Sequence, residues 1–226
     1  MIASSRIADG NMSARWGDPA EAAENRKRFV LVHGWDPTHL TMCSIPTPNG
    51  TEIHDVGLRQ YGTAVEADAL VSDDPDIVLG LLTADCVPLV VAGQRHIAIA
   101  HCGWESTHAR LPEKLVHSLV ARGEDASTLI AQTGPAIAAA SYVQPIDAVS
   151  QRDDPRWQPF ITYAEDGAHI DVPGYVSAQL LEAGVARGNV TLSEIDTYAD
   201  MRYFSHRRTR LTGDRQGRLL TLARIG

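Results

Sequence analysis

The sequence predicts an α/β protein: a single layered domain over residues 1–226, with mixed β-sheets flanked by helices. Short apolar runs of strand length alternate with segments of helix length. The helical segments open on Pro and close on Gly, and no linker, repeat or low-complexity tract breaks the alternation. A chain of 226 residues with 44 % apolar content is long enough for one sizeable core.

The elements follow in order. "GDPAEAAENRKRFVLVHG" predicts a helix over about 19–32, because Asp18 can cap it, Pro19 opens its first turn and Gly34 follows its end. "LTMCSIP" and "TEIHDVG" have strand composition and are separated by the turn-rich "PTPNG". "DIVLGLLTADC", "PLVVA" and "HIAIAH" are apolar runs too short for helices, so they predict buried strands at the centre of a sheet. "PEKLVHSLVARG" gathers Leu115, Val116, Leu119 and Val120 on one helical face. "TLIAQTG" returns as a strand and "PGYVSAQLLEAGVARG" as a helix, and "NVTLSEID" and "RLLTLARI" complete the strands.

Composition narrows the function. No apolar run approaches the about 18 residues of a membrane span, and the N-terminal stretch lacks the pattern of a signal peptide. A cytoplasmic protein is expected. Three cysteines make no disulfide framework and suit a reducing compartment. A net charge of −8 disfavours nucleic acid as partner, since phosphate backbones need a basic field, and leaves a small-molecule substrate as the expectation.

The stretch "LLTADCVPLVVAGQRHIAIAHCGW" concentrates the chemistry. A two-residue turn at Gly93 and Gln94 pairs Ala92 with Arg95 and sets Cys86 directly across from His101. Opposed side chains have Cβ atoms about 4.5–5.5 Å apart, near enough for a thiol and an imidazole to share a proton or grip one metal ion. Pro88 cannot donate to the ladder, so its nitrogen must face an edge or a bulge. Composition alone favours a buried cysteine that packs as a small hydrophobe and a histidine at a strand end, and the register brings the chemical reading level with it.

"TADCVPLVV" and "HIAIAHCGW", with "NGTEIHDV", "GPAIAAASYVQ" and "YFSHRRTRLTG", resemble in order the motifs of the multicopper polyphenol oxidoreductase or laccase-domain family. Its members are described as zinc-dependent purine nucleoside phosphorylases with adenosine deaminase activity. The resemblance implies such an enzyme, a transferase or hydrolase, and a fold similar to cysteine deamidases of the cytotoxic necrotizing factor type. It also implies a zinc held by a His that falls on Asn49 here, by Cys86 and by His101. Asn49 is a poor ligand for a site that normally wants three strong ones, and His54 lies on the other side of the same predicted strand. Glu105, Ser106 and Val143 also depart from the family pattern, which marks a divergent member.

Three functions stand open. With zinc weakened but bound, Cys86 and His101 are ligands and the ion activates phosphate or water at a nucleoside. Without metal, His101 takes the proton of Cys86, which attacks an amide or ester carbon of some metabolite, with Asn49 orienting the imidazole. The third is a binding protein that has lost catalysis. Copper oxidation of phenols lacks its ligands, since one Cys and one His make no blue-copper site. For substrate binding the candidates are Arg207 and Arg208 for an anion such as phosphate, Trp104 and Tyr142 as aromatic walls, and Asp68, each with a structural alternative as exposed charge, core aromatic or cap. By strand alternation Asp85 is expected to point away from Cys86.

Overall fold

The computed structural model describes residues 2–226. Two large sheets stack face to face. The first runs in the order β1 (Ile2–Ser4), β14 (Leu219–Ala223), β6 (Val78–Thr83), β2 (Leu40–Ser44), β4 (Ala64–Glu66). The second runs β13 (Val190–Thr191), β9 (Ile130–Thr133), β7 (Val87–Ala92), β8 (Ile97–Cys102), β5 (Ala69–Ser72), β3 (Ile53–Asp55). Both mix parallel and antiparallel pairs. A small antiparallel sheet of β10 (Val143–Gln144), β12 (Gly167–Ile170) and β11 (Ile161–Ala164) lies beside them.

The pleat explains the layering, because side chains along a strand alternate between faces. Leu79 and Leu81 of β6 meet Leu70, Val90, Ile97 and Ile99 of the second sheet in a core between the sheets. The opposite parity of the second sheet, Leu89, Val91, Ala98 and Ala100, packs on helices α3 (Leu111–Ala121) and α4 (Val172–Glu182). Val78, Leu220 and Leu222 on the outer face of the first sheet are covered by Phe29 and Val30 of α1 (Pro19–Val32). The result is helix, sheet, sheet, helix, with both faces of β6, β7 and β8 buried, which is why those strands read as continuous apolar runs.

The expected helices at 19–32, 112–123 and 173–188 correspond to α1, α3 and α4. Several short elements were not expected: α2 (Trp104–His108), α5 (His206–Thr212), the strands β10 to β12, and β1, β4 and β5. Each is seven residues or shorter, too brief to develop a period. Pro88 stands in β7 one residue before the first β7–β9 pair, Leu89 with Thr133, so its missing donor costs no ladder bond there.

The hairpin register differs from expectation by two residues. Ala92 pairs with Ile97 and Pro88 with His101, leaving Cys86 just before β7 and level with Gly103. Glu124 is the reason. Its carboxylate, from the loop after α3, accepts hydrogen bonds from the N–H groups of Gln94, Arg95 and His96 at 2.8–3.0 Å and from the His96 ring. The Gly93 N–H closes the four-residue turn on His96 O. A slip of two keeps every side chain on its face, so Cys86 and His101 still share one side of the sheet.

Burial alone would raise the Glu124 pKa, but the His96 ring and the three backbone donors hold it down to about 2. A depressed carboxylate stabilises the fold above its unfolded pKa and loses that contribution as pH falls toward the folded value. Glu124→Gln is therefore expected to cost about 3 kcal/mol at pH 7, with the gap to wild type shrinking below pH ~5. Urea unfolding at pH 7 and pH 3 tests this; an equal gap at both refutes the assignment.

Candidate active site

Three segments converge beside Gly103. A Cβ placed on that glycine would lie 3.1 Å from His101 Cε1, 3.4 Å from Cys86 Sγ and 3.5 Å from Asn49 Nδ2. The thiol, the imidazole and the carboxamide thus surround one gap that exists because residue 103 has no side chain.

Each segment is aimed by a buried group. Cys86 follows a bend in which Asp85 takes a φ of +84°, unusual for a residue with a Cβ. The Asp85 carboxylate anchors the bend, accepting from Thr197 Oγ1 and from the Arg207 N–H, both at 2.7 Å. Asn49 sits in a turn tied down by Asp68, whose two oxygens accept from the Gly50 and Glu52 N–H groups. The Asp68 carbonyl in turn receives the His101 N–H. Ser106 donates to the His101 carbonyl at 2.7 Å and fixes the entry to α2.

Burial, then the Asp85 carboxylate, pushes the Cys86 thiol up to about 11. Asp85 therefore acts on Cys86, contrary to the expectation from strand alternation, because the pair lies in a bend and not in a strand. Burial pulls His101 down to about 4, against the attraction of Asp68. At neutral pH the resting pair is thiol and neutral imidazole. His101 Nδ1 is buried with no hydrogen-bond partner among the described residues, so it is available to a proton or a ligand.

A cavity of about 510 Å³ opens in front of this centre, of a size suited to a small organic molecule. Cys86 and Gly103 form part of its lining, with Trp104, Tyr142, His206 and Arg207 around them. His101, 8 % exposed, and Asn49 do not line it, so the imidazole lies behind the sulfur. Trp104 is braced by Trp157 at 4.5 Å between ring centroids. The Arg207 guanidinium lies 5.7 Å over the Tyr142 ring and donates to Val143 O.

Two expected binding residues do other work. Arg208 is buried and fully engaged, with Asp214 and with the carbonyls of Thr197, Tyr198 and Tyr203. Asp68 is 0 % exposed and holds backbone, not ligand. His54 is exposed and does not line the cavity. Sequence reasoning gave no role to His206 on the cavity wall and set aside as solvated charge both Arg210, also on that wall, and Arg218, which is close enough to Cys86 to be felt by the thiol. His206 lay inside a quoted motif, but without α5 its spacing to Arg210 carried no message.

The donor set does not fit a catalytic zinc. It offers one thiol, one imidazole and one carboxamide where three strong ligands and an open position are needed. Among the described residues no three His, Cys, Asp or Glu side chains gather to hold a metal ion.

Fold and site together define a class: a layered α/β enzyme scaffold with a cysteine in the wall of a small-molecule cavity. Residues 2–225 match the family described as multi-copper polyphenol oxidoreductase laccase, and the chain belongs to that family. It is 31 % identical over 232 residues to a purine nucleoside phosphorylase of Xylella fastidiosa, covering 98 % of this chain and 85 % of that protein. It is 30 % identical over 203 residues to a purine nucleoside phosphorylase of Deinococcus radiodurans, covering 88 % of this chain and 76 % of that one. The fold is that of YlmD from Geobacillus stearothermophilus, with a TM-score of 0.84 at 25 % identity, covering 96 % of this chain and 85 % of that one. Hypothetical protein YfiH from Bacillus licheniformis gives a TM-score of 0.85 at 22 % identity with the same coverage.

Two outcomes follow. Asn49→His supplies a third strong ligand and is expected to raise zinc occupancy, measured as metal content of protein purified without chelator; no gain over wild type would show that residue 49 does not face the centre. Cys86, less buried than Cys43 and Cys102, is expected to alkylate first, at a rate rising about tenfold per pH unit toward pH 11. A rate already at its plateau at pH 7 would contradict a raised thiol.

Proposed function

We propose that this chain is a purine nucleoside phosphorylase-like enzyme that breaks a C–N bond of a nucleoside with the Cys86 and His101 pair and no metal. The observation that carries the proposal is the meeting of Cys86, His101 and Asn49 around the gap at Gly103, beside a cavity walled by Trp104 and Tyr142. The names of the relatives support the substrate class. Aromatic walls suit a planar base, which gains from stacking.

In phosphorolysis a phosphate oxygen bonds to the sugar carbon as the bond from that carbon to the base nitrogen breaks. The leaving nitrogen takes the proton of the neutral Cys86 thiol. His101, kept neutral by burial, accepts the proton of the attacking phosphate and returns it to sulfur, closing the cycle. Asn49 shares the gap at Gly103 with the imidazole and the thiol. Arg207, fixed beside Tyr142, adds positive potential on the side where phosphate enters.

A second reading is favoured by one observation, the neutral imidazole beside a thiol with no third strong ligand. There His101 deprotonates Cys86, sulfur adds to an amide, ester or amidine carbon, the leaving group departs with the proton, and water releases the product. That is the chemistry of cysteine deamidases of the cytotoxic necrotizing factor type. The free thiols fit a reducing, cytoplasmic setting under either reading. No helix among the described residues is long and apolar enough to cross a membrane.

The test is product analysis with inosine and adenosine, each with and without phosphate. Cys86→Ser and His101→Ala are expected to lower turnover by ~10²–10⁴-fold, and wild-type activity is expected to fall as pH drops toward 4 and His101 protonates. Phosphate-dependent release of base supports the first reading. A covalent adduct on Cys86 seen by mass spectrometry supports the second. Full activity in Cys86→Ser removes both.

A further inference from the structure

The aromatic wall of the cavity is backed by a group that can gain a proton. Helix α2 begins at Trp104 and ends at His108, and positions four apart lie on one helical face. Trp157, 0 % exposed, touches both ends of that face: its ring is 4.5 Å from the Trp104 ring, and its Nε1–H donates to His108 Nδ1 at 3.0 Å. Trp157 also meets Tyr175 edge-on at 4.3 Å. An indole has one polar atom, and that atom can only donate, so this bond exists only while His108 Nδ1 carries no proton. Trp104 lines the cavity, whereas His108 does not.

His108 has a different partner for its charged form. Asp154 Oδ2 lies 3.7 Å from the same Nδ1, and the imidazole is 38 % exposed, so protons reach it from solvent. The side chain and N–H of Arg156 hold the Asp154 pKa down to about 2, which keeps it an anion wherever an imidazole ordinarily titrates. Arg110, just beyond α2, is engaged by Glu113 of α3 and by Glu182 and the Tyr175 hydroxyl of α4. Arg152 pairs with Asp153 in the loop that carries Asp154, and Glu105 stands one turn before His108 on α2 itself. Nδ1 therefore has two exclusive states, an acceptor for Trp157 when bare and a donor to Asp154 when protonated. In the second state the imidazolium and the indole N–H are donor against donor, and the buried N–H loses its acceptor.

We propose that His108 is a positioning residue for Trp104: bare, it holds the Trp157 indole against the cavity wall, and protonated, it turns to Asp154 and releases that wall. The assignment rests on the reading that the cavity takes a planar base against Trp104, and it makes base binding depend on a proton held outside the cavity. Binding weakens on acidification through the range in which imidazoles ordinarily titrate, well before His101, at about 4, gains its proton.

Nuclear magnetic resonance of the indole N–H groups of the four tryptophans tests the brace without substrate. Trp104→Phe and Trp157→Phe assign two of the signals. In wild type the Trp157 N–H exchanges slowly with solvent at about pH 7.5, and its signal and that of Trp104 move together as the pH is lowered to about 5, in step with the His108 ring protons. His108→Asn keeps an acceptor at the δ position and takes no proton, so both signals hold still over that range. His108→Leu removes the acceptor, and the Trp157 N–H exchanges faster throughout. Asp154→Asn removes the anion that favours the imidazolium and moves the response to lower pH. With inosine at about pH 7.5, His108→Leu raises KM about two- to tenfold with kcat unchanged, and His108→Asn restores it. The proposal is overturned if the Trp157 signal ignores pH in wild type, if the Trp104 signal does not move with it, or if His108→Leu keeps the wild-type KM. The coupled response of both signals in a protein that turns over no nucleoside would remove the proposed function and leave the positioning of Trp104 standing.

Discussion

Buried carboxylates that accept hydrogen bonds from backbone N–H groups hold this structure in its working form. Glu124 collects three such donors at the β7–β8 turn, Asp68 two at the turn carrying Asn49, and Asp85 one at the start of α5. A carboxylate withdrawn from water is costly unless its oxygens are satisfied, and bonds from N–H groups to a charged acceptor are among the stronger ones. Each acid therefore fixes a loop that has no regular ladder of its own. Without them the strands would still pair, but the three chemical groups would not be brought to one place.

The sequence made the scaffold legible and the site only partly so. Long or strongly patterned elements such as α1, α3, β6, β7 and β8 declare themselves by capping residues and by apolar runs. Cys86, His101 and Asn49 were found through their motifs and do converge. The β7–β8 register was not legible, because the carboxylate that decides it lies some thirty residues away in the loop after α3. Arg208 was taken for a binding group because a charged residue in a motif looks available, whereas its burial depends on carbonyls from residues 197–203 that no local pattern reveals. The cavity wall from α5 and from the β10–β12 sheet went unread for a simpler reason: elements of two to seven residues have no period to detect.

The departure at residue 49 has a physical reading that reaches beyond one ligand. With a carboxamide in place of an imidazole, the centre has no three-ligand cage, and its two remaining titratable groups rest neutral because both are withdrawn from water. Moving the thiol proton to the imidazole would create a buried ion pair, which the same withdrawal from water opposes on both groups. The centre therefore changes its protonation only if something entering the cavity stabilises one of the charged forms.

The Asp85 bend ties the chemistry to the order in which the chain is made. Its carboxylate is satisfied only by Thr197 and Arg207, more than a hundred positions downstream of the cysteine it aims. A nascent chain that has reached only the second sheet therefore carries an unaimed sulfur and an acid without partners. A chain that ends before residues 197 and 207 would lack both anchors of the bend that aims Cys86.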